Sequence, residues 1–186
     1  MNFYILAGGK SSRMGANKSL MKLNDNTIIE KVIAAIGTEK PSIKVITNSF
    51  AEYRFLNCSM IPDLHKNIGP IAGVQAGLLD SSYEFNFFLA SDLPLVTSQI
   101  IQSVLEKHSG EDIFGIRTKN GPEPLCTIYS KKCLAVIELQ INKKDYSLHN
   151  LFKLVPSKFV ETNDPESLFN LNSVNDWNRL NRLSGD

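Results

Sequence analysis

The sequence predicts an α/β fold built on a mostly parallel sheet. Short β-like runs alternate with segments whose apolar residues recur at helical spacing. Phe85–Ala90 (Phe-Asn-Phe-Phe-Leu-Ala) is almost continuously apolar, the composition of a central strand covered on both faces. No internal repeat, low-complexity tract or linker interrupts the alternation, so one domain is expected over 1–186.

The elements follow in order. Asn2–Leu6 reads as the first strand and stops at Ala7-Gly8-Gly9. Thr27–Ile36 reads as a helix, with Ile28, Ile29, Val32, Ile33 and Ile36 on one face. Ser42–Thr47 is the second strand, ending at Asn48, and Cys58–Ile61 a short third one, ending near Asp63. Gly69–Leu79 reads as a helix opened by Gly-Pro, since proline suits a first turn. Phe85–Ala90 stops at Ser91-Asp92. Thr97–His108 is a helix capped by Thr97 or Ser98. Asp112–Arg117 and Leu125–Tyr129 read as strands around a Lys119-Asn120-Gly121-Pro122 turn. Lys131–Gln140 is a helix, Ser147–Phe152 a short helix, Leu154–Val160 a strand and Ser173–Leu183 a C-terminal helix.

Composition narrows the function classes. The chain has 186 residues, enough for a real core, with 42% hydrophobic and 21% charged residues. A net charge of +1 creates no global field toward nucleic acid or an anionic membrane. No apolar stretch reaches the roughly 18 residues that span a bilayer. The first apolar run is too short for a signal peptide and lacks a basic lead-in. Cys58, Cys126 and Cys133 are odd in number with no C-x-x-C pair, so neither a disulfide framework nor a zinc site is expected, and the cytoplasm is the default location.

The chemistry concentrates at Leu6-Ala7-Gly8-Gly9-Lys10-Ser11-Ser12-Arg13-Met14-Gly15, with Lys18 beyond. Glycines without Cβ atoms let backbone N–H groups approach an anion. Arg13 and Lys18 can neutralise its charge, one as a planar fork and the other as a point charge. The Walker pattern fails because Tyr4 stands where its first glycine belongs, and G-x-G-x-x-G fails because Gly8 and Gly9 are adjacent. A plain strand-to-helix turn with incidental basic residues is the bland alternative.

The stretch L-A-G-G-K-S-S-R-M-G with Lys18 resembles the N-terminal signature of the molybdenum cofactor guanylyltransferases (the MobA type) of the nucleotidyltransferase superfamily. Further similarities run to Asn172 and so span nearly the whole chain. The double glycine favours the guanylyl branch over the cytidylyl relatives. The resemblance implies a three-layer, Rossmann-like nucleotidyltransferase fold with a mostly parallel, mixed central sheet. It implies a nucleotide-binding part up to about residue 110 and an acceptor-binding remainder. It implies transfer of GMP from GTP to the phosphate of molybdopterin, with Mg²⁺ as cofactor and molybdoenzymes or their chaperones as recipients of the product. A cytidylyltransferase or sugar-phosphate nucleotidyltransferase of the same fold, and a non-catalytic nucleotide- or cofactor-binding module, are the competing readings.

Ligands of open α/β sheets bind at strand carboxyl ends, which places Gly8, Asn48, Asp63 and Asp92 along one edge. From residues alone, Asp92 reads either as a Mg²⁺ ligand completed by phosphates or as an Asp in a turn before Pro94. The resemblance selects it as the metal ligand. It also implies Leu6, Ala7, Gly8, Gly9, Arg13, Lys18, Asn48, Asp63 and Asp92 as the GTP contacts, with Arg13, Lys18 and Asp92 catalytic. Gly69-Pro70-Ile71-Ala72-Gly73 resembles the family's G-P-L-A-G motif, and a helix start with glycines for close packing explains it equally well. Glu123-Pro124-Leu125-Cys126 resembles the family's P-L segment, and Asn170-Leu171-Asn172 its N-x-N motif, which the resemblance assigns to metal or acceptor and which a polar loop before the last helix explains as well. Gly69, Pro70, Gly73, Pro124, Asn170 and Asn172 are the implied acceptor contacts. Asn17 departs from the family, which usually carries Asp before this lysine. His65, His108 and His149 show no metal-ligand spacing.

Overall fold

The run Asn-Phe-Tyr-Ile-Leu becomes β1 (Asn2–Leu6), and all five of its residues are buried. The computed structural model describes residues 1–8, 17–37 and 42–184. After β1 come a small hairpin of β2 (Lys22–Leu23) and β3 (Asn26–Thr27), then α1 (Ile28–Ile36), β4 (Ser42–Ile46), α2 (Phe50–Tyr53), β5 (Ser59–Ile61), α3 (Pro70–Asp80), β6 (Phe85–Ala90) and α4 (Ser98–Lys107). The second half holds β7 (Ile113–Thr118), β8 (Gly121–Ser130), α5 (Cys133–Asn142), α6 (Leu148–Leu154), β9 (Ser157–Glu161) and α7 (Val174–Ser184).

Seven strands form one sheet in the order β5-β4-β1-β6-β8-β7-β9. Only β8 runs antiparallel to its neighbours; every other pair in this sheet is parallel. Strand alternation sorts the side chains into two layers. Phe3, Ile5, Phe87 and Leu89 face α1 and α4, while Tyr4, Leu6 and Phe88 face α3, α5 and α6. Phe3 stacks on Phe87 at 5.3 Å and Tyr4 on Phe88 at 5.1 Å, pairs that lock β1 against β6 on both faces. The fold is therefore the α/β arrangement expected from the alternation, with the three layers and the mixed sheet that the resemblance implies.

Local chemistry sets the helix starts. Thr27 and Glu30 form a reciprocal capping box on α1. Thr97, rather than Ser98, accepts from Ile100 N and caps α4. On α3, a Cβ at Gly77 would meet the Phe88 ring at 2.6 Å, and one at Gly73 would meet Leu6 Cδ2 at 2.8 Å. The two glycines let this helix lie directly on β1 and β6.

Two boundaries differ from expectation. α6 continues to Leu154, so the strand expected from there begins at Ser157. The strand expected over Leu125–Tyr129 starts at Gly121, because its lead-in pairs with Arg117 and Thr118 of β7. Periodicity also gave no signal for β2, β3 or α2, each of four residues or fewer. Among the described residues no helix is long and apolar enough to cross a membrane, and Cys58, Cys126 and Cys133 are free thiols.

Candidate active site

The chain moves outward from β1 to β4 and β5, then returns through α3 to β6 on the opposite side of β1. This reversal opens a crevice at the carboxyl ends of β1 and β6. Backbone bonds continue the ladder onto its rim. Ser91 N donates to Leu6 O at 3.2 Å, Ala7 N to Ile46 O at 2.9 Å and Thr47 N to Ile61 O at 3.0 Å. The floor of the site is thus an extension of the sheet and shares its rigidity.

A cleft of about 1380 Å³ lies over this edge. It exceeds the roughly 300–1,000 Å³ of an ordinary small-molecule pocket, so two reactants can occupy it together. Leu6, Ala7 and Gly8 line it from β1, Asn48 from beyond β4, Asp63 from beyond β5, and Asp92 from beyond β6. Gly69, Pro70 and Gly73 enter from the start of α3, Pro124 from β8, and Asn170 and Asn172 from the segment before α7. Gly9 and Arg13 lie outside the described residues. Lys18 stands at the margin, where its Nζ donates to Asn172 Oδ1 at 3.4 Å.

Asp92 occupies the middle of the strand order, next to the crevice. Its side chain is half-buried, and burial raises its pKa while the Lys18 ammonium pulls in the opposite direction. Its carbonyl accepts Leu171 N at 3.0 Å. That bond carries Asn170 and Asn172 to the cleft from a distant part of the chain. Asn172 N in turn donates to Asp176 Oδ2 at 2.9 Å, which fastens the segment to the first turn of α7.

This donor set fits Mg²⁺. A half-buried carboxylate with a raised pKa is stabilised in its charged form by a cation, and Mg²⁺ is commonly held by one or two carboxylates plus waters and substrate phosphates. Among the described residues no group of three His, Cys, Asp and Glu side chains converges for a metal. Asp63 is likewise a half-buried carboxylate whose pKa burial raises; it accepts His65 N at 3.4 Å.

Several lining residues escaped the sequence reading, among them Glu52, Lys66 and Asn67, and Glu123 entered it only as the first residue of a stretch resembling the family's P-L segment, with no role of its own. Asn17, noted only as a departure, also lines the cleft and anchors a network. Its Nδ2 donates to Glu52 Oε2 at 2.6 Å and to the Tyr53 hydroxyl at 2.9 Å, and its Oδ1 accepts Ser19 Oγ at 2.8 Å. An Asp here would lose both donated bonds and face Glu52 as a like charge, keeping Tyr53 only as a donor, as its hydroxyl already donates to Asn17 Oδ1 at 3.3 Å. The spacing Ser49-x-x-Glu52 was a readable helix-start signal. Ser49 makes no side-chain cap, however, and Glu52 takes the Asn17 amide instead.

Residues 3–159 match the model of the MobA-like NTP transferase domain. The chain belongs to this family. It is 37% identical to a protein of Flavobacterium johnsoniae named probable molybdenum cofactor guanylyltransferase, over 96% of this chain and 95% of that one. It is 29% identical to the molybdenum cofactor guanylyltransferase of Desulfosudis oleivorans, covering 91% of this chain and 88% of the relative. Its fold is that of the crystal structure of molybdopterin-guanine dinucleotide biosynthesis protein A from Archaeoglobus fulgidus, with a TM-score of 0.82 at 21% identity over 100% of this chain and 99% of the other. As a MobA-like NTP transferase domain it is a nucleotidyltransferase. The family match ends at residue 159, so Asn170 and Asn172 lie beyond it and reach the site through the Leu171–Asp92 bond.

Proposed function

We propose that this chain transfers GMP from GTP to the terminal phosphate of molybdopterin and releases pyrophosphate. The observation that carries the reading is the half-buried Asp92 at the switch point of a cleft large enough for nucleotide and acceptor together. The names of its relatives agree with it.

An acceptor phosphate oxygen bonds to the α-phosphorus of GTP as the bond from that phosphorus to the β-phosphate oxygen breaks. The acceptor phosphate is already ionised at neutral pH, so no general base is required. Catalysis is positioning plus charge neutralisation. Asp92, assisted by the amides of Asn170 and Asn172, would hold Mg²⁺. When bound, that ion neutralises charge on the phosphates. Gly8 and Gly9 admit the triphosphate to backbone N–H groups. Lys18 and Arg13 balance the charge that develops on the pyrophosphate. Asn48 and Asp63 take the nucleoside, and a carboxylate suits guanine because it accepts from N1–H and the 2-amino group. Free thiols at all three cysteines suit a reducing compartment, and we assign the chain to the cytoplasm.

Calorimetry of GTP, CTP and ATP with Mg²⁺, followed by transfer assays on molybdopterin, tests the reading. GTP preference and pyrophosphate release are expected. CTP preference overturns the guanylyl assignment. GTP binding without pyrophosphate release in the presence of acceptor overturns the catalytic one in favour of a binding module.

A further inference from the structure

We propose that Glu123 selects the acceptor by accepting hydrogen bonds from the 2-amino group and the adjacent ring N–H of its pterin. The proposal rests on the guanylyltransferase reading above and assigns the acceptor end of that cleft to one side chain.

Position is the first argument. Asp63 lies past the end of β5 and Glu123 lies at the start of β8, and both line the cleft. In the sheet order, β4, β1 and β6 separate their strands, with Asp92 at the end of β6. Four strand spacings of about 4.8 Å put the strands that carry the two carboxylates about 19 Å apart across the sheet, the scale of a dinucleotide. The nucleoside and the acceptor ring of a joined product therefore reach opposite ends of one cleft.

Local construction is the second. In the β7–β8 ladder Gly115 pairs with Thr127, but Arg117 pairs with Pro122. A single residue of β7, Ile116, thus stands opposite the stretch Glu123–Cys126 of β8. Such a bulge re-aims side chains, and bulges gather beside active sites. This one is pinned at two points. Thr127 Oγ1 donates to Glu123 O at 2.7 Å, and the fully buried Tyr129 hydroxyl donates to Pro124 O at 2.8 Å. Gly115 makes room for the first of these, since a Cβ there would overlap Thr127 Oγ1. The chain holds Glu123 at the rim by specific bonds rather than by leaving it in a loose turn.

Chemistry is the third. An ionised carboxylate only accepts hydrogen bonds, and its two oxygens match a pair of adjacent N–H groups. A phosphate placed against it would meet a like charge with no cation assigned beside it, whereas Mg²⁺ held by Asp92 would offset that repulsion, so the acceptor phosphate points toward Asp92 and the ring toward Glu123. The pterin presents an amino group beside a ring N–H, the same edge that guanine offers. Glu123 is half-buried, and burial raises its pKa, so pairing with N–H donors stabilises its charged form.

The test uses the full chain with GTP, Mg²⁺ and molybdopterin, comparing wild type with the isosteric Glu123→Gln and with Glu123→Ala. Both variants are expected to raise the KM for molybdopterin by about tenfold or more while the Kd for GTP stays within about twofold, because a buried acceptor that reads N–H groups discriminates strongly when lost. An unchanged acceptor KM, or a loss of GTP affinity in its place, overturns the proposal while leaving guanylyl transfer intact. No transfer by the wild-type chain overturns the underlying reading instead, so the two failures are distinct. Retention of GTP binding by Glu123→Gln shows that the variant is folded, even if the alanine variant is not.

Discussion

The parallel half of the sheet and its mixed half bring residues to the cleft by different means. In the parallel half, β1, β4, β5 and β6 each end at the same edge, and each delivers a site residue from its carboxyl terminus: Gly8, Asn48, Asp63 and Asp92. In the mixed half, β8 runs the other way and delivers Glu123 and Pro124 from a bulge at its start. Asn170 and Asn172 arrive by a single backbone bond to the Asp92 carbonyl. A parallel strand places chemistry by where it stops. An antiparallel strand places it by register, which depends on partners far away in sequence.

Substitutions can break this contrast, beginning with the largest effect. Asp92→Asn removes the only carboxylate that the proposal gives to the metal. Turnover is expected to fall by about a thousandfold, roughly 4 kcal/mol of lost charge stabilisation, in steady-state assays. The ligand-free variant should nevertheless be at least as stable as wild type at neutral pH. Burial raises the Asp92 pKa in the folded state above its ordinary 3.8. The folded chain therefore binds more protons than the unfolded one between those two values, and stability contributed by this group declines as pH rises through that window. Thermal unfolding at neutral and acidic pH checks the sign: any gain from Asp92→Asn should shrink on acidification. By the same shift, Mg²⁺-dependent GTP binding of the wild type should weaken as pH falls toward the raised pKa.

Lys18→Ala comes next, with GTP affinity expected to fall by about tenfold, the scale of one charge-assisted contact to a phosphate. Calorimetry reads this directly, and unchanged affinity would remove Lys18 from the nucleotide contacts.

A matched pair then separates the two halves. Gly77→Ala and Gly115→Ala both insert a methyl group where none fits, one against Phe88 and the other against Thr127. Each should cost about 1–3 kcal/mol by overpacking, seen as a lower Tm. Gly115→Ala should also raise the KM for the acceptor, because it disturbs the bond that holds Glu123. Gly77→Ala should leave that KM alone. Equal effects on the acceptor would show that the bulge does not position the site.

The smallest effect is expected from Asn17→Asp. It removes two donated bonds and sets a carboxylate against Glu52. A loss of about 1 kcal/mol in stability is expected from thermal unfolding. A more stable variant would mean that the network is incidental to the fold.

The parallel half was legible because its signals are local. The apolar run of β6 and the abrupt stop at Ser91-Asp92 marked a buried strand and its end, and the same logic located Gly8 and Asp63. The spacing of Ile28, Ile29 and Val32 marked a helix that buries those three residues. What escaped lacked such a period. Glu52 sits on a helix of four residues, too short for a period to show. Glu123 stands in a stretch that resembles the family's P-L segment, but its own place in the cleft comes from β7 pairing out of step with β8.

Residue type and period by themselves determined the strands of the seven-stranded sheet, the longer helices, the class of the fold and the edge at which a ligand would sit, because hydrophobic burial and chain geometry act over a few neighbouring residues. The tertiary structure alone decided which distant residues share that edge. Lys18 reaches Asn172, Leu171 reaches Asp92, Asn17 reaches Glu52, and Thr127 holds Glu123 because Gly115 yields space. Those contacts follow from sheet order and register, which form only when all the strands have found one another.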